Sequence, residues 1–196
     1  MNAEIRNAKE KLRVQFAELA NSFERELRNV TAGLSALDAL ELDEQRAEVE
    51  RMLEQVLPPI KASLGDIEKV ERECQEANVE ENDHTIFTLD DLLFELELVS
   101  ASVTKKLAFI ENQAVSRQHT HLTPAQLEEF ESTFRFFDKD GTNTLTVPEL
   151  GGALASLGII YSDEDTEQIH LQLTANFGSV SYDAFLTFLV SAARAS

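Results

Sequence analysis

Between Asp138 and Glu149 the chain reads Asp-Lys-Asp-Gly-Thr-Asn-Thr-Leu-Thr-Val-Pro-Glu. Side-chain oxygens recur at alternate positions on Asp138, Asp140, Thr142 and Thr146, the carbonyl of Thr144 falls in the same alternation, and Glu149 closes the run. Oxygen donors at positions 1, 3, 5, 7, 9 and 12 of such a loop suit a hard cation such as calcium, which takes roughly 6–8 oxygens, two of them from the closing Glu at the start of the next helix. Two positions weaken the donor set. Position 5 is Thr142, a neutral hydroxyl, and position 6, where the chain takes a left-handed turn that favours glycine, is Asn143. Asparagine tolerates that turn better than most residues. The spacing therefore predicts at most one calcium ion, bound with a dissociation constant of about 10⁻⁵ M or weaker; the alternative is a structural loop that holds no ion.

A loop of this kind needs a helix on each side. Thr123-Pro124-Ala125-Gln126 supplies a capping hydroxyl, a proline at the first helical position and a Gln three residues after the cap, and Leu127, Phe130, Phe134 and Phe137 follow on one face. Leu150, Leu154 and Leu157 continue after the loop, so the whole is an EF-hand by helix–loop–helix context. Hands pair through position 8, so Leu145 requires a partner. Ser162-Asp163-Glu164-Asp165 can open another helix carrying Ile169 and Leu173, and Gly178 to Phe185 resembles the second half of a second loop that offers Val180 to Leu145. With Gly178 at position 6, positions 1, 3, 5 and 12 are Leu173, Ala175, Phe177 and Ala184, none of which has a side-chain oxygen. The second hand is not a calcium site.

The preceding residues have another texture, poor in glycine and rich in Glu, Leu, Ala and Arg. Ile5, Ala8, Leu12, Phe16, Leu19, Phe23, Leu27, Val30, Leu34 and Leu37 step by three or four, which predicts one helix over about 2–39. A second seam runs Val49, Leu53, Val56, Ile60, Leu64, Ile67, Val70, Cys74, and a third runs Leu89, Leu93, Leu96, Val99, Val103, Leu107, Ile110, Ala114. Three helices of this length, each with one apolar seam, pack side by side as a coiled-coil rod of roughly 45–50 Å. Pro58-Pro59 should kink or interrupt the second helix, with two separate helices as the alternative. Asn78 to Thr88 breaks the pattern before the third helix, which Thr88 can cap. The expectation is an all-α chain: a three-helix repeat over 1–117, a linker at 118–122 and an EF-hand pair over 123–196.

The chain has 196 residues and a formal net charge of −19. That sign argues against nucleic acid or an anionic membrane as partner. The single cysteine, Cys74, precludes an intrachain disulfide and reads as a core residue on its seam; no apolar run reaches the ~20 residues of a membrane span, and Met1 to Arg6 lacks the apolar core of a signal peptide. A cytosolic, reducing compartment follows. His84, His119, His121 and His170 show no zinc-like spacing, and His119-Thr120-His121 reads as a solvated linker. No phosphate loop, nucleophile elbow or catalytic acid pair is present, so an enzyme is not expected.

Several stretches resemble the carboxy-terminal part of the alpha-actinin family, spectrin-superfamily actin crosslinkers: Leu12 to Asn21, Asp83 to Leu92, Ile110-Glu111-Asn112-Gln113, Leu127 to Asp138 and Phe185 to Leu189. The resemblance implies the last spectrin-like repeat of the rod followed by the first lobe of a calmodulin-like domain. It further implies that the chain is a fragment, lacking the calponin-homology pair that binds actin and the second EF-hand lobe. In such a family the rod spaces the filament-binding heads, antiparallel self-association sets the hands beside the partner's heads, and calcium modulates crosslinking in the cytoplasmic actin cytoskeleton. The fragment itself is expected to be monomeric. The alternative is a calcium sensor or scaffold that binds a target helix through its EF-hand pair, with the coiled coil as an oligomerisation arm. Sensor grooves favour methionine, and both methionines here, Met1 and Met52, lie in the first half.

Overall fold

The computed structural model describes residues 2–195. Helix α1 spans Ala3–Ser35, and a short 3₁₀ turn follows at Leu37–Ala39. Asn2 starts α1, its side-chain carbonyl accepting from the amides of Glu4 (2.7 Å) and Ile5 (3.1 Å). The next helical stretch comprises α2 (Leu42–Arg51), a π turn (Met52–Val56) and α3 (Leu57–Glu76). Pro58 and Pro59 thus sit in the first turn of α3, where missing amide donors cost least, and the wide turn before them takes up the disturbance. Helix α4 covers Leu89–Gln118. The Thr88 hydroxyl accepts from the Asp91 amide (3.1 Å) while the Asp91 carboxylate accepts from the Thr88 amide (2.9 Å), a reciprocal cap.

The chain divides into two compact units, 1–107 and 108–196. This division falls ahead of the 118–122 linker read from the sequence, because the last turns of α4 carry residues that pack within the second unit. In the first unit α1 lies against α3, burying Phe16, Ala17, Ala20, Phe23, Leu27 and Val30 on one side and Ile60, Ile67, Val70 and Cys74 on the other. Leu92, Leu96, Val99 and Val103 of α4 are buried as well. The expected seam fails at its start: Ile5 is half exposed, and the buried stripe begins near Phe16. The 78–88 segment is more than an interruption. Arg13 Nε donates to the Glu81 carbonyl (2.8 Å), Asn82 Nδ2 to the Arg13 carbonyl (2.8 Å) and Asn21 Nδ2 to the His84 carbonyl (3.2 Å), fastening the segment along α1.

The second unit adds α5 (Pro124–Phe137), α6 (Val147–Ser156), α7 (Asp163–Phe177) and α8 (Tyr182–Ala195). Thr123 and Gln126 form the reciprocal cap expected for α5, and Ser162 caps α7. Phe134, Leu145, Leu150, Leu154, Tyr182 and Phe185 centre its core. Phe134 meets Tyr182 edge-on with ring centroids 5.5 Å apart. The structure is all-α, as the seams predict, and among the described residues no helix is long and apolar enough to cross a membrane.

Candidate metal centre

The loop predicted to hold an ion joins α5 to α6. Asp138 ends α5, and its carboxylate gathers the loop: Oδ1 accepts from the Thr142 amide (3.1 Å) and hydroxyl (3.3 Å), and Oδ2 from the Asn143 amide (2.7 Å). The Thr142 hydroxyl also lies 2.9 Å from that of Thr144 and 3.3 Å from the Thr144 carbonyl. Donors at positions 1, 5 and 7 therefore converge. Thr146 caps α6 by accepting from the Glu149 amide (3.4 Å). Glu149 spans the loop, with Oε1 accepting from the Thr146 amide (2.9 Å) and Oε2 from the Lys139 amide (3.1 Å). Burial by itself raises the Glu149 pKa, but these amide hydrogen bonds outweigh it and hold the carboxyl below its ordinary value.

The donor types suit calcium, and oxygens from Asp138, Thr142 and Thr144 already face one another. Asp138, Asp140 and Glu149 are not drawn together: among the described residues no three acidic, His or Cys side chains are placed to share a metal ion. Backbone amides occupy the oxygens a cation would use. The loop is closed by its own hydrogen bonds, and an ion has to displace or share them. Asn143 takes the left-handed turn with φ 61°, as the motif demands of position 6.

The partner hand has changed its chemistry. Leu145 N–H donates to the Val180 carbonyl (2.9 Å) and Thr144 bridges antiparallel to Ser181, so the hands pair as position 8 requires. Helix α7, however, runs on to Phe177 and ends at Gly178 (φ 84°), so positions 1 to 5 of the second loop are helix. Four residues, 178–181, remain before α8. No ion loop exists there to be filled.

Three residues around the hands escaped the sequence reading. His119, read as part of a solvated linker, has Nε2 3.0 Å from Asp183 Oδ1 and a side chain 17% exposed. The buried Ser116 hydroxyl lies 2.8 Å from the Tyr182 hydroxyl, and Asn112, 4% exposed, pairs with Asn143. The sequence marks Ile110 to Gln113 only as a stretch of family likeness, with no role for its asparagine.

The EF-hand domain family matches residues 129–158. The alpha-actinin-like protein 1 of Schizosaccharomyces pombe is 30% identical over 185 residues, covering 94% of this chain and 30% of that protein. The alpha-actinin of Dermatophagoides farinae is 34% identical (92% and 21%), and the sarcomeric alpha-actinin of Drosophila melanogaster is 32% identical (92% and 20%). The chain thus spans between 20% and 30% of the length of these relatives.

Proposed function

We propose, for a chain that belongs with the carboxy-terminal EF-hand region of the alpha-actinin family, a role as the rod-and-hand part of an actin-filament crosslinking protein. Residues 1–117 act as a spectrin-like spacer, 118–122 as a linker, and 123–196 as the EF-hand pair that adjusts crosslinking. Actin filaments are the partner of the whole protein, gripped by calponin-homology domains outside these residues, and its rod pairs antiparallel with a second copy. These 196 residues alone remain monomeric, a net charge of −19 opposing self-association at low salt. The setting is the cytoplasmic actin cytoskeleton, and the work is mechanical rather than catalytic.

One observation supports this reading over a free-standing sensor: the likeness to alpha-actinins covers 94% of the chain, the helical stretch as well as the hand. Low-speed sedimentation of filamentous actin with the product of the complete transcript tests it. Bundles should pellet, to an extent that changes on calcium chelation; filaments left unbundled refute the role.

Within the hand, Asp138, Asp140, Thr142, the Thr144 carbonyl, Thr146 and Glu149 would hold at most one calcium ion, weakly, and the second hand none. A bound ion would supply two positive charges fastening the ends of α5 and α6. The affinity is low because Asp138 and Glu149 must give up or share amide hydrogen bonds, and Thr142 adds no charge. Calorimetry on the chain should give one equivalent at about 10⁻⁵ M or weaker, abolished by Glu149→Ala. Two equivalents, or heat unchanged in that variant, would refute the assignment.

A further inference from the structure

In the sequence Asn143 stands where glycine turns more freely, as a residue that tolerates the turn at a cost in affinity. In the structure its side chain has a partner. Asn112, on the last turns of α4, donates from Nδ2 to Asn143 Oδ1 (3.0 Å), and Asn143 Nδ2 donates back to Asn112 Oδ1 (3.1 Å). The two amides form a closed ring in which each both gives and accepts, and Asn112 is 4% exposed. The backbone N–H of Asn143 meanwhile donates to Asp138 Oδ2 at 2.7 Å. Asn143 is therefore the joint between α4 and the first donor of the loop. Glycine at position 6 would adopt φ 61° at less cost but would offer no handle.

We propose that Asn112 is a positioning residue for the cation loop: through the amide ring it holds Asn143 in the left-handed turn and so fixes the amide that orients Asp138. The Asn112–Asn143 ring offsets the strain of a side chain at positive φ with two part-buried hydrogen bonds. Coupling of this kind is reciprocal. If the ring strengthens ion binding, an ion in the loop tightens the Asn112 turn of α4, which makes that turn a reporter of occupancy. This last consequence rests on the calcium reading given above; the positioning role does not.

Backbone amide exchange in the full chain, freed of metal by a chelator, tests the positioning role. Asn112→Leu keeps the branched outline at a somewhat larger volume and removes the amide, and should speed exchange at residue 143 by about tenfold or more. The amide of Leu145, bonded to the Val180 carbonyl, should stay as protected as in the parent. In an Asn143→Gly background the same change at 112 should leave exchange at residue 143 untouched, which a merely structural role for Asn112 would not predict. Equal acceleration in both backgrounds, or none in either, overturns the proposal. Should Asn112→Leu fail to fold, Asn112→Ala, which asks for no extra room, is read against the same background. Calcium titration of these variants should show about tenfold weaker binding for Asn112→Leu only where Asn143 is present. No calcium heat in any variant would sink the calcium reading while the exchange data still decide the role of Asn112.

Discussion

Glu131 carries a charge at a place with little to receive it. It sits on α5 with 5% of its surface exposed; Oε1 has no hydrogen-bond partner, and Oε2 lies 3.4 Å from the Arg135 guanidinium, itself mostly exposed and stacked over Phe109 at 5.8 Å. Burial pushes the Glu131 carboxyl up, and Arg135 offsets this only in part. An acid whose folded pKa is raised costs stability wherever it is ionised in both states, so the penalty is full above the folded value and fades as pH falls to the ordinary 4.5. Glu131→Gln removes the charge, keeps the shape and lets the amide donate. The gain at pH 7 should be about 1–2 kcal/mol, the scale of the desolvation penalty of a buried charged group short of partners, which the neutral amide escapes in large part. The chain has no tryptophan and two tyrosines, Tyr161 and Tyr182, both in the second unit, so tyrosine fluorescence during urea unfolding follows that unit alone. The midpoint should rise by roughly 0.5–1 M at pH 7 and by little at pH 4. Coincident midpoints at pH 7, or the same shift at both pH values, would refute the reasoning.

Gly152→Ala should destabilise the second unit by about 1–3 kcal/mol in the same assay, since the new Cβ would stand 2.6 Å from Cε1 of the Phe137 ring; Gly33→Ala should cost the first unit less, read by helical circular dichroism because that unit has no tyrosine, since the atom it meets at 2.8 Å is the mobile Cε of Met52. Glu149, whose folded pKa is lowered, stabilises the hand above its ordinary 4.5, and that contribution is lost as pH falls through the folded value; Glu149→Gln should flatten this acid limb in a pH series of melts. Cys74 should react with a thiol reagent about tenfold or more slowly in the native chain than in urea, because it is 7% exposed and burial, then Glu71 and Glu73, raise its pKa.

What the sequence disclosed is what local chemistry writes into it. The caps at Thr88, Thr123 and Ser162 are read from neighbours three residues away, and the stripes from Phe16 to Val30 and Ile60 to Cys74 from a period of three or four. The alternation of oxygens in the 138–149 loop belongs to the same class. Its hydrogen-bonded closure does not: nothing in the spacing says that Glu149 reaches the Lys139 amide. Polar contacts between distant residues left no periodic trace, so Asn112 with Asn143, Ser116 with Tyr182, His119 with Asp183 and the 78–88 segment on α1 stayed hidden. The second hand misled in the opposite way. Gly178 and Val180 look like loop, yet Leu173, Ala175 and Phe177 bring no turn chemistry, and α7 keeps its period through them.

The π turn at Met52–Val56 bears on how such a chain can drift over generations. A regular helix punishes the gain or loss of one residue by rotating everything beyond it by about 100°, which carries a buried stripe out to water. A wide turn houses the extra residue within a single loop of backbone. Here it stands directly before the proline pair in the first turn of α3, so Ile60, Ile67 and Val70 keep their side of the helix. Lineages related to this chain could shed that residue, or acquire it, with the change confined to one turn and the remainder of α3 unmoved.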